Sequence, residues 1–349
     1  MDGMKPHIII LTEGHSEPNT AKTAAGILRY RGGEVAALLD STAPRATAGE
    51  LLGVGDDVPV IHSLNEAPDA DTLLIGVATT GGQLPPSMRA HIREAIQRGW
   101  EIISGLHAFL SDDEEFAGLA RQSGATLTDL RRNTERDVAR REGLRHDCLR
   151  LHTVGPDCGI GKMVAALELA RGLTAEGIAA KFIATGQTGI MIEGDGCPVD
   201  AVVADFISGA VEKQILSQQH HDVLVVEGQG SLIHPCYSGV TLGLLHGCLP
   251  HALVLCHPLG RTHVKGLEHI PLPSLDETAE LYRALANAAH PCHFLGVAIN
   301  SRGADEAAFA AEKNRVETLL GLPACDVVRE GPGILVTAAR RLLAEREGT

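Results

Sequence analysis

Residues 155–163, which read GPDCGIGKM, have the residue types and spacing of a phosphate-binding loop. They follow an apolar run at 149–154 and precede a helical pattern that begins at Lys162. In such a turn the backbone N–H groups face an anion, the helix N-terminus adds partial positive charge, and the lysine contacts the outer phosphate oxygens. The cofactor-binding candidates in this loop are Gly155, Asp157, Cys158, Gly159, Ile160, Gly161, Lys162 and Met163.

Two departures from the G-x-x-x-x-G-K-[ST] pattern change the expected ligand. Gly155 and Gly161 are one residue further apart than in that pattern, and Met163 stands where a Ser or Thr hydroxyl would hold Mg²⁺. The loop is therefore predicted to bind phosphates well and a catalytic metal poorly. We expect no bound metal, with Glu227 as the ligand if Mg²⁺ is used.

Composition and charge predict a cytoplasmic globular protein and exclude several classes of partner. Of the 349 residues 44% are hydrophobic, and the net charge is −14. An acidic chain favours neither nucleic acid nor an anionic membrane surface. No apolar run reaches the roughly 20 residues that span a bilayer. The eight cysteines include no C-x-x-C pair, so we expect neither a disulfide framework nor a structural zinc site.

Short apolar runs alternate with helical patterns along both halves of the chain, which predicts an α/β fold. In the first half, strands of a Rossmann-like parallel sheet are predicted at 7–11, 34–39, 72–77, 101–104 and 125–128. In the second half, a five-stranded core is predicted at 149–154, 179–184, 223–226, 252–256 and 294–299, with a glycine-rich loop at 185–196. The arginine-rich segment 131–150 lacks apolar periodicity, so we place the boundary there. This gives a Rossmann-like domain over 1–145 and a P-loop NTPase-like α/β domain over 146–349.

Polar residues follow successive strands of the second half, where ligands bind in open parallel sheets. Glu227 ends the strand 223–226, where an acidic residue can hold a metal; the alternative is a carboxylate that caps loop backbone. His234, in the next loop, is a candidate general base, with an ordinary loop histidine as the alternative. The catalytic candidates are therefore Glu227, His234 and Lys162.

Other residues at the same edge are candidates for binding ligands. Arg261 could hold a substrate carboxylate with its forked N–H groups, or serve a structural role. The side-chain amide of Asn300 could pair with an adenine edge. Cys158, at a helix N-terminus, is either a nucleophile or a small packing residue. The substrate-binding candidates are Gln187, Thr188, Ser231, Tyr237 and Arg261.

Three segments resemble the D-glutamate N-acetyltransferase-like family. They are 104–112 (SGLHAFLSD), 184–189 (ATGQTG) and 225–247 (VVEGQGSLIHPCYSGVTLGLLHG). The glycine spacing of the loop, with Glu-Gly after a buried strand, is similar to that of dethiobiotin synthetase-like P-loop proteins. The resemblance covers nearly the whole chain and implies a Rossmann-like N-terminal domain, a P-loop C-terminal domain and a homo-oligomer. It also implies acetyl transfer from acetyl-CoA to the amine of D-glutamate or a related amino acid.

Acyl transfer suits this loop better than ATP chemistry, because coenzyme A phosphates need binding but no attack on phosphorus. Two alternatives remain open. One is an ATP- and Mg²⁺-dependent ligase or kinase of the dethiobiotin synthetase type, acting on a small carboxylic or amino acid. The other is a non-catalytic nucleotide-binding regulator. Release of ADP would favour the first alternative, and release of free thiol from acetyl-CoA would favour acetyl transfer.

Overall fold

The computed structural model describes residues 8–17, 20–67 and 69–347, which form two compact units. The first unit ends at Asn133 and includes 190–194; the second begins at Thr134 and contains the rest, so the helix Gln187–Glu193, which is described with the second unit, has residues 190–193 in the first. Residues 134–145 belong to the second unit because the backbone N–H groups of Arg140 and Arg141 each donate to the Glu212 carboxylate at 2.8 Å. The proposal that one domain ends and the next begins at residue 145 stays a prediction. Within the described ranges, no helix is both long and apolar enough to cross a membrane.

The first unit is built on a six-stranded parallel sheet. Its elements are β1 (Ile8–Leu11), α1 (Lys22–Arg31), β2 (Val35–Leu39), α2 (Ala48–Leu52), β3 (Val60–Ile61), β4 (Thr72–Ile75), α3 (Arg89–Gln97), β5 (Glu101–Ser104), α4 (Glu114–Ser123) and β6 (Thr126–Asp129). The strand order is β3-β2-β1-β4-β5-β6, and every pairing is parallel. This confirms the predicted Rossmann-like sheet and adds β3, which is only two residues long. His7, predicted to begin the first strand, lies outside the described residues.

The second unit also has an α/β architecture. Its elements are β7 (Leu149–Val154), α5 (Lys162–Ala175), β8 (Ala180–Ile183), α6 (Gln187–Glu193), α7 (Ile207–Gln218), β9 (Val223–Val226), α8 (Ser238–Cys248), β10 (Ala252–Pro258), β11 (His263–Val264), β12 (Leu267–Pro271), α9 (Leu275–Asn287), β13 (His293–Asn300), α10 (Glu306–Leu320), β14 (Ala324–Cys325) and α11 (Gly333–Glu347). The main sheet is parallel in the order β14-β13-β10-β7-β9-β8, and β11 pairs with β12 separately. Because β7 lies between β9 and β10, the loops that follow these three strands meet at one edge.

Two predictions for this unit were wrong in detail. The sheet has six strands instead of five, because β14 pairs with β13 through only two residues. The predicted loop 185–196 contains the helix α6. Its Gly189 suggested a loop, but a Cβ there would lie 2.4 Å from Oε2 of Glu227, so this glycine permits a close approach inside a helix.

Candidate functional site

The loop between β7 and α5 contains backbone N–H donors that have no acceptor within the described protein. Gly159 and Gly161 have φ angles of 61° and 102°, which let the backbone turn through a conformation that other residues rarely adopt. Among the described residues, the N–H groups of Gly159, Ile160 and Gly161 donate to no protein acceptor. The loop leads directly into the 14-residue helix α5. Unpaired N–H groups of consecutive residues at a helix N-terminus are suited to binding an anion.

Lys162 lies inside this loop. Its side chain is buried, and Nζ donates to the backbone carbonyl of Asp157 at 2.6 Å. Its stem packs against Gly228, where a Cβ would lie 2.9 Å from Cδ of Lys162 and 1.8 Å from the carbonyl oxygen of Thr153. Burial lowers the pKa of Lys162, against the opposing effect of nearby acidic groups. An ammonium is therefore held in the loop although burial disfavours its charge.

Asp157 supports the conformation of the loop through hydrogen bonds. Its carboxylate is fully buried, and Oδ1 accepts from the N–H of Cys158 at 2.7 Å. Oδ2 accepts from Arg261 at 2.8 Å and from the N–H of Lys265 at 2.9 Å. The same Arg261 nitrogen, Nη1, also donates to the Cys158 carbonyl at 2.9 Å. Arg261 thus supports the loop, and its contact with a substrate carboxylate stays a prediction.

Glu227, at the end of β9, has a strongly perturbed acidity. Its Oε2 accepts from the backbone N–H groups of Thr185 at 2.9 Å and Gly186 at 3.1 Å. Burial raises the pKa of Glu227 to about 7, although these hydrogen bonds act to lower it. The carboxylate has the capping geometry that was the alternative to a catalytic role. A carboxyl with this pKa can nevertheless exchange a proton near neutral pH, so its catalytic role stays a prediction, as does its binding of Mg²⁺.

His234 is buried beside the phosphate-binding loop. Its Nδ1 accepts from the backbone N–H of Cys236 at 3.2 Å, so the neutral ring carries its proton on Nε2. The ring centroid lies 4.6 Å from that of Tyr237. A ring nitrogen of His234, Sγ of Cys158 and a carboxylate oxygen of Asp157 lie within 4.8 Å of one another. In this arrangement the ring accepts at Nδ1 and has an N–H to donate at Nε2, so the general-base role requires it to give up the bond from Cys236.

Asn300 follows β13 and contacts the loop from the other side. Its Nδ2 donates to the carbonyl of Ile160 at 3.2 Å, and its Oδ1 accepts from the N–H of Arg302 at 3.2 Å. Both ends of the amide are therefore committed to protein partners, and the adenine contact stays a prediction.

The remaining candidates lie at different depths around this edge. Ser231 is fully buried, and its Oγ accepts from a backbone N–H two residues further on. Gln187 is buried and Thr188 is partly buried at the start of α6, whereas Tyr237 is exposed. Met163 is the second residue of α5 and is partly buried. Their contacts with a ligand stay predictions.

Two supporting residues were not found from the sequence. Tyr282, within α9, donates its hydroxyl to the carbonyl of Gly155 at 2.9 Å and accepts from the N–H of Leu232 at 3.3 Å. The hydroxyl of Thr153 accepts from the N–H of Gly228 at 2.9 Å. Both fix the positions of the loops after β7 and β9. No local pattern marks them, because their roles depend on elements distant in sequence.

The chain is similar to known proteins over most of its length. It matches the P-loop domain of a domain of unknown function, DUF1611, over residues 135–336, and the Rossmann-like domain of the same family over residues 42–133. A protein of Tritonibacter scottomollicae named D-glutamate N-acetyltransferase is 41% identical over 275 residues, which cover 78% of this chain and 82% of that protein. A protein of the same name from Pseudoalteromonas sp. is 39% identical over 268 residues, covering 76% and 80%. The crystal structure of a DUF1611 family protein from Anabaena variabilis superposes with a TM-score of 0.91 at 35% identity, covering 96% of this chain and 99% of that one.

Proposed function

This chain belongs to the DUF1611 family, and from that premise we propose that it is an N-acetyltransferase that moves an acetyl group from acetyl-CoA to the amine of D-glutamate or a related amino acid. The acyl-transfer part of this proposal is supported by the printed names of the two relatives at about 40% identity. The choice of acetyl-CoA as donor is supported by the geometry of the phosphate-binding loop. The amino acid is taken from the names of the relatives.

The observation that carries the proposal is the loop with three backbone donors and an enclosed ammonium. Coenzyme A has a pyrophosphate and a 3′-phosphate, which need hydrogen-bond donors and positive charge. Gly159, Ile160 and Gly161 supply N–H groups that no described protein atom accepts, and Lys162 supplies the charge. Met163 offers no hydroxyl to a metal, which suits binding of a phosphate ester without phosphoryl transfer.

Two buried groups near this loop can serve acyl transfer. The attacking amine must lose a proton, and Glu227, with its pKa raised to about 7, is our candidate acceptor. The carbonyl oxygen gains negative charge in the tetrahedral intermediate, which a fixed donor stabilises. His234 carries its proton on Nε2 because Cys236 donates to Nδ1, so we assign it as that donor instead of the base. We retain a homo-oligomer in the cytoplasm as part of this proposal.

The test is to incubate the purified full chain with acetyl-CoA and D-glutamate. We expect release of the coenzyme A thiol together with N-acetyl-D-glutamate, identified by mass spectrometry, and a slower reaction with L-glutamate. A parallel reaction contains ATP, Mg²⁺ and a panel of amino acids. ADP formation without thiol release in any mixture would replace this proposal with the ligase or kinase alternative. Binding without turnover of either co-substrate would favour a regulator.

A further inference from the structure

A half-open cavity of about 400 Å³ lies in the second unit, beside the phosphate-binding loop. Pro156, from the loop itself, forms part of its wall. Arg261 forms another part and also donates to Asp157 and to the Cys158 carbonyl within the loop. The cavity therefore adjoins the phosphate-binding loop through Pro156 and Arg261. A volume of about 400 Å³ falls in the range of roughly 300–1,000 Å³ that is typical of small-molecule pockets.

The wall of the cavity is mostly apolar, and some of its side chains carry flat groups. Pro258, Leu272, Leu275 and Leu319 give it apolar surface. His257 adds an imidazole, and burial lowers the pKa of this ring although Glu312 acts to raise it. The guanidinium groups of Arg261 and Arg315 add planar faces. Apolar walls with flat cationic faces are suited to an aromatic heterocycle, which stacks on them.

The charges around the cavity argue against an anionic ligand. Arg261 is paired with Asp157 at 2.8 Å, and Arg315 makes two bonds of 2.7 and 2.8 Å to Glu312. Asp276 is a carboxylate of the lining itself, and a hydrogen bond from Ser274 lowers its pKa. Each guanidinium of the wall is thus paired with a carboxylate outside the lining, and Asp276 adds negative charge to the wall itself. A dicarboxylic amino acid would meet no surplus of positive charge here, whereas the uncharged adenine ring of the coenzyme needs none, provided that its 3′-phosphate lies with the pyrophosphate at the phosphate-binding loop.

We propose that this cavity binds the adenosine moiety of the coenzyme, with the adenine against the planar faces of Arg261 and Arg315 and the phosphates in the adjoining loop. Choosing coenzyme A as the ligand rests on the proposed function above. In a nucleotide the ribose is one ester bond from its phosphate, so a nucleoside pocket must adjoin the phosphate site, as this cavity does through Pro156. In this arrangement the adenine does not contact Asn300. The side-chain amide of Asn300 is already bonded to Ile160 and Arg302.

The first experiment is photolabelling of the full chain with an 8-azidoadenine derivative of coenzyme A, followed by peptide mapping. We expect the label on 257–262, 272–278 or 312–319, and we expect unmodified coenzyme A to compete for it. Label confined to other segments, or no saturable labelling, would overturn the adenosine assignment. If wild-type protein then still acetylates D-glutamate, the proposed function stands without it. If the cavity is labelled but no acetylation occurs, the proposed function fails and the nucleoside pocket stands.

The second experiment is Leu319→Asp, with Leu281→Asp as the matched control. Both leucines are exposed on helices of this unit, α10 and α9, but only Leu319 lines the cavity. Calorimetric titration should give about tenfold weaker binding of coenzyme A to Leu319→Asp, and unchanged binding to the control. Inorganic pyrophosphate, which occupies only the phosphate loop, should bind both variants like wild type. Equal weakening of pyrophosphate, or unchanged coenzyme A affinity in a folded variant, would contradict the adenosine assignment.

Discussion

Replacing Lys162 with methionine removes an ammonium from the phosphate-binding loop and leaves an unbranched apolar side chain in its place. In the structure, Nζ donates to the Asp157 carbonyl at 2.6 Å, while burial lowers the pKa of Lys162. Binding of a phosphate would give this ammonium a charged partner. We therefore expect Lys162→Met to weaken coenzyme binding and, at the same time, to stabilise the ligand-free protein.

The expected changes in coenzyme affinity and in stability follow from the surroundings of Lys162 with and without bound phosphate. A hydrogen bond to a charged group contributes about 1.5–3 kcal/mol, which corresponds to a loss of roughly 10- to 150-fold in affinity. The effect on stability has the opposite sign. The folded-state pKa of Lys162 lies below that of the unfolded chain, so protonation favours unfolding at every pH below the unfolded value. At neutral pH, methionine removes this unfavourable contribution but also leaves the Asp157 carbonyl without its donor at 2.6 Å; we expect relief of the buried charge to outweigh the lost bond, so the melting temperature should rise.

The assay is calorimetric titration of coenzyme A, with thermal unfolding of the ligand-free protein measured in parallel. Lys213→Met is the control, because Lys213 is an exposed lysine on α7 that pairs with Glu135 and Asp137. The control removes one positive charge and should leave coenzyme affinity unchanged. A Lys162→Met protein with normal coenzyme affinity and a lower melting temperature would refute the reasoning, because it would make this lysine purely structural.

Three further predictions concern neighbouring groups. Glu227 has a pKa of about 7 in the folded protein, against an ordinary value of 4.5. The unfolding free energy of the wild type should therefore fall by up to about 3 kcal/mol as pH rises from 4.5 through 7. Glu227→Gln should lack that loss in urea titrations at pH 5 and 8, and an unchanged pH dependence would contradict this. Tyr282→Phe leaves the buried Gly155 carbonyl without its donor at 2.9 Å, so unfolding free energy should fall by about 1–3 kcal/mol; no loss would show that the bond is dispensable. Maleimide on Cys158, the partly buried cysteine of the loop, should block coenzyme binding, and coenzyme should slow this labelling but not labelling of the exposed Cys236. Equal protection of both thiols would argue against a ligand in the loop.

The parts of the site that were predictable are those encoded by neighbouring residues. The turn from Gly155 to Lys162 could be recognised because its glycines, lysine and flanking strand and helix are contiguous. The same holds for Glu227, since an apolar run of four residues ends immediately before it. Parallel strands then bring such loop ends to one edge of the sheet. Local pattern was therefore enough for the fold class and for the placement of the phosphate-binding loop.

The contacts that support the phosphate-binding loop could not be predicted, because they join residues far apart in sequence. Arg261 and Asp157 are 104 residues apart, and Tyr282 and Gly155 are 127 apart. Nothing in the sequence near Arg261 distinguishes a residue that supports the loop from one that faces a substrate. The tautomer of His234 likewise depends on a backbone N–H whose direction only the folded loop determines.

The most direct test of the central claim is a crystal structure of the full chain with coenzyme A bound. We predict phosphate oxygens within hydrogen-bond distance of the N–H groups of Gly159, Ile160 and Gly161, with Nζ of Lys162 moved from the Asp157 carbonyl to a phosphate. A structure in which the coenzyme phosphates lie away from these N–H groups, while Lys162 keeps its bond to Asp157, would contradict the account.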